Sequence, residues 1–245
     1  MTTCPPTDVT LRIMPREMRM MTERVFSLSG QPKGFFLMVQ DVVMYSQKLG
    51  LGGFALLEQR WESLKAADPA LVWIARDQGD KLTLDAAGQH AWFVIPTVID
   101  LLGELATRHG SGAVTVINVA DAAELRVAAD LAARNGLAAS FTESAQPTLT
   151  ASPAAMSGDV SKDEPLLWDL LQNGVSIDAD LWWRIYAIAQ KALAPDSVVS
   201  RRHAGPVIVN DDGSIIGRKD SDDETDLSFL ITPLGSESKK ESVGS

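Results

Sequence analysis

The sequence predicts an α/β protein: a helical N-terminal lobe, a small mixed sheet with crossover helices, a helical C-terminal segment and a flexible acidic tail. Three observations carry this. Apolar residues recur at helical spacing from Met18 to Leu64, and short β-like runs bounded by turn residues take over from Leu71. A long apolar helix and an Ala-rich helix then alternate with strands, the order expected of crossover units. Beyond about Arg218 the chain turns polar, carries the acidic run Asp220–Asp226 and loses its periodicity.

Residues 1–8 read as a flexible N-terminus. Val9–Ile13 is a short strand, and Pro15 suits the first turn of the helix that follows. Met18, Met21, Val25 and Leu28 form its apolar stripe up to Gly30. A second helix is predicted from Pro32 to Leu49, with Phe35, Phe36, Val39, Val42 and Val43 inward. Gly50-Leu51-Gly52-Gly53 ends it, and a third helix follows with Phe54, Leu57, Trp61 and Leu64 on one side. Leu71–Ala75 and Lys81–Leu84 flank Gln78-Gly79-Asp80 as a hairpin. The apolar helix Ala91–Arg108 leads to the strand Ala113–Ile117. Asp121 is a candidate cap for the helix Ala122–Arg134, which stops at Asn135-Gly136 before the strand Leu137–Phe141. A strand–helix–strand unit with such short joins favours parallel pairing.

Residues 9–143 therefore form one α/β region, and the Ser-, Pro-, Ala- and Thr-rich stretch 144–163 reads as a loop or linker. Residues 164–217 carry helices at Pro165–Gln172 and Ile177–Leu193, with Asp178 as a cap, and a hairpin of Val207–Val209 with Ser214–Ile216. Residues 218–245 form the largely disordered tail, with Leu227–Ile231 as a docking strand within it.

Composition excludes several classes. Hydrophobic residues make up 45% and charged residues 22% of the 245 residues, which is ordinary for a folded globular chain. The net charge of −10 opposes both nucleic acid and anionic membrane surfaces. The lone Cys4 allows no internal disulfide, and His90, His109 and His203 are too scattered for a zinc site, so no metal is expected. Without a basic and apolar leader or a long apolar span, a cytoplasmic location is expected.

Short motifs in a fixed order resemble the malate/L-lactate dehydrogenase family of the sulfolactate-dehydrogenase type. Gly50 opens the first turn, Gly88-Gln89 precede the long helix, and His109-Gly110-Ser111-Gly112 precede a strand that Asn118 closes. Asn135-Gly136-Leu137 makes the next turn, and Thr142-Glu143-Ser144 ends the last strand. The resemblance covers rather more than half of the chain. It implies a nicotinamide cofactor, NADH or NADPH, and a homodimer, since members generally form dimers.

The departures bear on chemistry. Where the family carries Ser-His-Gly, this chain reads Gly53-Phe54-Ala55, and a phenylalanine cannot exchange a proton with a 2-keto acid. The family's second histidine is Asp121, and the Asn of its Thr-Asn-Ser is Glu143, acidic residues that would repel a phosphate or carboxylate. Phe54, Asn118, Asp121 and Glu143 are thus the positions of a remnant site, and no catalytic residue is assigned. The closing motifs Ala194-Pro195-Asp196-Ser197, Ser200-Arg201, Ala204-Gly205 and Asn210-Asp211 resemble the ending of an uncharacterised bacterial family that keeps a dehydrogenase-like front and replaces its remainder.

Other groups admit plainer readings. Ser197, Ser200 and Arg201 could hold a small anion, but a capped turn with Arg201 paired to a carboxylate is simpler. His90 is expected at a solvent-facing helix boundary, and His109 at a helix C-terminus where it complements the dipole. The glycines of residues 50–53 and 110–112 lack the context of a phosphate loop or a dinucleotide fingerprint. Trp61, Trp182 and Trp183 fit core packing better than a ligand cage. Asp211-Asp212-Gly213 suits a hairpin turn rather than a calcium loop. The leading expectation is a noncatalytic binding or accessory protein. The alternatives are an enzyme for a small carboxylate with a rebuilt site, and an interaction protein that uses the acidic tail.

Overall fold

The first strand, β1 (Thr10–Ile13), runs antiparallel to β7 (Val175–Asp178), so the two ends of the first structural unit are tied together. The computed structural model describes residues 9–193, 207–212 and 214–217. The chain divides after Leu193 into two units.

Helix α1 (Pro15–Ser27) buries Met18, Met21, Thr22, Val25 and Phe26, the spacing of one helical face. Helix α2 (Lys33–Lys48) packs on it and buries Phe36, Val39, Val42 and Val43. The third predicted helix is two pieces, α3 (Gly53–Gln59) and α4 (Trp61–Lys65), broken at Arg60. The break accompanies a bidentate pair in which the Arg60 guanidinium meets the Asp121 carboxylate at 3.0 Å twice.

The main sheet has the order β2-β3-β4-β6-β5. Its strands are β2 (Trp73–Asp77), β3 (Lys81–Asp85), β4 (Gly112–Ile117), β5 (Leu137–Thr142) and β6 (Thr148–Pro153). Strands β3 and β4 pair in parallel, with α5 (Ala91–His109) as the crossover between them. Apolar on nearly every side, α5 is buried within its own chain against β4, β6 and α2. At its far end His109 is the last helical residue, before Gly110.

The stretch 144–163 is no linker, because β6 lies within it and is inserted between β4 and β5, antiparallel to both. Its Leu149 and Ala151 point into the core while Thr148 and Thr150 share hydroxyl hydrogen bonds with Thr115 and Ser140 across the strands. A period of two with such small polar residues reads as linker composition, and only pairing on both sides makes it a central strand. For the same reason β4 and β5 are not neighbours. The short helix α7 (Val160–Asp163) closes this stretch.

The helix predicted over Ala122–Arg134 is also fragmented. A 3-10 turn at Ala122–Arg126, α6 (Val127–Leu131) and a second 3-10 turn at Ala132–Asn135 replace it. Asp121 does not cap it. Its φ of 52° is left-handed and its carboxylate is drawn to Arg60 instead.

Helix α8 (Pro165–Asn173) ends at Gly174, whose φ of 60° and closeness to β1 leave no room for a side chain. A Cβ there would sit 2.5 Å from the Ile13 carbonyl oxygen. Ile177 belongs to β7 rather than to a helix. Asp178 then caps α9 (Ala179–Gln190), as its carboxylate accepts from Leu181 N–H at 2.8 Å.

Within the second unit, β8 (Val207–Val209) and β9 (Ile215–Gly217) form an antiparallel hairpin. Asp212 accepts from the Ser214 N–H at 2.8 Å in its turn. The remainder of the tail, including Leu227–Ile231, lies outside the described residues. Among the described residues no helix is long and apolar enough to cross a membrane.

Candidate functional site

In an open sheet, loops at the carboxyl ends of parallel strands are the usual place for a ligand. Here those ends belong to β3 and β4. Three non-glycine residues in the loops that follow have positive φ: Ala87 at 49°, Asn118 at 53° and Asp121 at 52°. Each such conformation is costly for a residue with a side chain, and its surroundings must hold it.

The surroundings are hydrogen bonds internal to the chain. The Asn118 Nδ2 donates to Asp85 Oδ2 at 2.8 Å, and Asp85 Oδ1 accepts from Ala87 N–H at 2.8 Å. Gly88 N–H donates to the Asn118 carbonyl at 2.7 Å. His90, expected at a solvent-facing boundary, is only 5% exposed, because a backbone bridge to Ala120 folds the second loop over the start of α5. Its Nδ1 accepts from Trp92 N–H at 3.2 Å and so caps α5.

Because Nδ1 is an acceptor, the proton of the neutral ring resides on Nε2. That atom lies 3.3 Å from Asp121 Oδ2, off the line of a hydrogen bond. Burial pushes the His90 pKa down to about 4, although Asp121 pulls it up, and Arg60 adds to the lowering. Since 6.5 is the unfolded value, the unfolded chain binds the proton more tightly. The stabilisation from a neutral His90 is complete above pH 6.5 and is lost as pH falls from there towards 4. At pH 4 the loss should reach about 3 kcal/mol. Urea unfolding at pH 7, 5 and 4 of the wild type and of His90→Asn checks this, since Asn retains a cap but does not titrate. Parallel pH profiles for the two proteins would refute it.

The turn at residues 50–53 is held from three sides. Gly52 N–H donates to Glu124 Oε1 at 2.7 Å, Gly53 N–H to Ser46 Oγ at 2.8 Å, and Phe54 N–H to Gln47 Oε1 at 2.9 Å. Gly53 has a φ of 48°, and a Cβ on it would fall 2.7 Å from the Gln47 Cα. These donors are therefore engaged within the protein. The second Glu124 oxygen, Oε2, accepts from the Trp92 indole N–H at 2.8 Å, so one buried carboxylate joins this turn to α5.

The four positions expected to mark a remnant site separate in space. Phe54 is fully buried in α3 and packs edge-on against Trp182 of α9, with ring centroids 5.5 Å apart. Asn118 and Asp121 share the loop after β4. Glu143 lies at the end of β5 on an open cleft of about 410 Å³, beside Leu51, Arg126, Asp130 and Phe141. None of the other three lines that cleft. Ser197, Ser200 and Arg201, with His203, fall outside the described residues. Glu124 and Arg134 were not singled out from the sequence. The signal for Glu124 was its place beside the inward stripe Leu125, Val127 and Ala128, and for Arg134 its position just before the Asn135-Gly136 stop.

No family model matches the chain, and no curated protein matches it. Among solved structures, an E. coli protein provisionally named a malate/lactate dehydrogenase is similar with a TM-score of 0.54 and 10% identity, over 79% of this chain and 99% of that one. Malate dehydrogenase from Pyrococcus horikoshii OT3 aligns at 17% identity and a TM-score of 0.43, over 52% of this chain and 38% of its own. Sulfolactate dehydrogenase from Methanocaldococcus jannaschii aligns at 16% identity and a TM-score of 0.42, with the same coverage. The chain thus spans well under half of the latter two proteins, and at these identities the likeness is one of fold.

Proposed function

We propose that this chain is a noncatalytic binding or accessory protein built on a malate/lactate-dehydrogenase-like scaffold. The observation that carries the reading is Phe54. The position that in the resembled family presents a proton donor holds an apolar ring, buried beneath Trp182. The polar remnants are engaged as well: Asn118 with Asp85, and Asp121 with Arg60.

The described residues do not fit a nicotinamide dinucleotide at the one remnant position that faces a cleft. There Glu143 and Asp130 outnumber Arg126, so the two phosphates of the cofactor would meet net negative charge. A rebuilt enzyme site would draw on Asp121, Glu143 or the group Ser197, Ser200 and Arg201; the last three lie outside the described residues, and Asp121 does not line the cleft that holds Glu143.

Purified full-length protein should reduce pyruvate, oxaloacetate and sulfopyruvate with NADH or NADPH at no more than the buffer rate. Tryptophan fluorescence should show no saturable response to either cofactor. Phe54→His should restore no turnover and should lower stability by about 2 kcal/mol, because a polar ring replaces a packed one without a partner. Turnover of any of these keto acids in proportion to protein concentration would refute the proposal.

A further inference from the structure

Strand β2 stands bare at one end of the main sheet. It pairs only with β3, and every residue from Trp73 to Asp77 is exposed. The register assigns a side to each residue. Trp73 and Arg76 lie opposite Asp85 and Thr83 on the outer face, while Ile74 and Asp77 lie opposite Leu84 and Leu82 on the core side. Trp73 is nevertheless 55% exposed, Ile74 45%, and Leu71, in the turn that leads in, 52%. Helix α5 packs on β4 and β6, so its cover ends short of Ile74.

A terminal strand offers unpaired N–H and C=O groups to any strand that approaches, and proteins commonly block it with lysine, proline or a covering loop. Strand β2 holds neither lysine nor proline, and the register shift at Ala75 is its one irregularity. Its two charges, Arg76 and Asp77, are of opposite sign, so the strand is neutral within a chain of net charge −10.

We propose that β2 pairs antiparallel with β2 of a second copy, so that the sheet continues across a two-fold axis in a homodimer. The strand is complementary to itself. A register that sets Trp73 opposite the partner's Arg76 keeps both on the outer face, and the two-fold axis repeats the pair. The Arg76 guanidinium has no hydrogen bond or ion pair among the described residues, and a guanidinium beside an indole is a favourable neighbour. The same register brings the two Ile74 side chains next to the axis on the other face. Leu71, Trp73, Ile74 and the strand edge offer roughly 400 Å² per copy, the area of a weak, concentration-dependent dimer. This goes beyond the noncatalytic reading and does not rest on it, since the pairing asks nothing of cofactor or turnover.

The test is sedimentation equilibrium of the full-length protein from about 5 μM to about 1 mM in about 0.15 M salt, with amide hydrogen exchange at both ends of that range. A dimer with a Kd of about 100 μM is expected. Amides of residues 72–77 that do not bond to β3 should exchange freely at the low concentration and slow at the high one. Trp73→Lys sets a charge on the edge and should weaken the dimer at least about tenfold. It should melt as the wild type does at low concentration, because Trp73 is mostly bare. Arg76→Met keeps the alkyl stem and loses the cation, and should weaken the dimer about fivefold. Trp183→Lys, on the equally bare outer side of α9, should leave it unchanged. A monomer at the highest concentration would overturn the proposal, as would a dimer that survives Trp73→Lys or Arg76→Met or is lost in Trp183→Lys. Protection of residues 72–77 at every concentration would overturn it too, because another segment of the same chain would then cover the strand.

Discussion

Glu124→Gln should destabilise the protein by about 3 kcal/mol, although it changes one atom and removes a buried charge. Both groups that meet this carboxylate are donors, the Gly52 N–H at 2.7 Å and the Trp92 indole N–H at 2.8 Å. A glutamine has one acceptor and one donor end, so its NH2 must face one of these N–H groups. One hydrogen bond is lost and a donor is left facing a donor in a site that is 4% exposed. Glu124→Ala should cost a similar amount, because it leaves both donors without a partner. Urea unfolding measures the effect, and the downfield Trp92 indole proton resonance should move upfield in the Gln variant. Superimposable unfolding curves would mean that Glu124 does not hold the turn of residues 50–53 to α5.

Arg134→Met should cost about as much, roughly 3 kcal/mol, for a different reason. The Arg134 guanidinium donates to Glu164 at 2.8 Å and to the Tyr45 hydroxyl at 3.2 Å, and it also pairs with Asp41. It lies 5.1 Å from the centre of the Tyr45 ring. Asp41 keeps a second partner in Arg19 at 2.5 Å, whereas Glu164, largely shielded from solvent, keeps none. The cost is therefore mainly that of one stranded carboxylate. Adding Glu164→Gln should return a large part of the loss, and a double-mutant cycle by thermal unfolding tests this directly. Additive effects of the two substitutions would refute the coupling. The Tyr45 phenol belongs to the same network. Burial pushes its pKa up to about 12, with Glu164 and Asp41 adding to the rise and Arg134 opposing it.

Periodicity made the helices of the first 65 residues and the β3–α5–β4 crossover legible, because their burial faces one side or, in α5, all but the exposed stripe of Asp100, Glu104 and Arg108. Three features were not legible, each for a reason of pairing. Strand β6 is marked only by Leu149 and Ala151 among hydroxyl residues, and its partners lie on either side in space. Strand β7 is four residues long and exists through its register with β1. Residues 122–134 have the composition of a capped helix because Asp121 suits a cap, yet Asp121 is left-handed and its carboxylate meets Arg60. The candidate site divides along the same line. That Phe54 is apolar where the resemblance leads one to expect a proton donor is plain in a string of residues, since identity alone carries it. The role of Glu124 depends on what lies opposite it, which identity does not carry.

The insertion of β6 between β4 and β5 also sets a timetable for synthesis. As the chain leaves the ribosome, β4 can pair with β3 on one side only, and β5 then emerges without a neighbour, so each presents an open edge with apolar residues behind it. Neither edge can close until residue 153 is free. Five residues separate β5 from β6, so closing this hairpin costs less chain entropy than bringing β6 to β4. The β1–β7 tie must wait longer still, until residue 178 emerges to meet a strand made near the start. Until then the nascent chain is a helical lobe with an unfinished sheet, the stage at which a chaperone that shields strand edges would find its substrate.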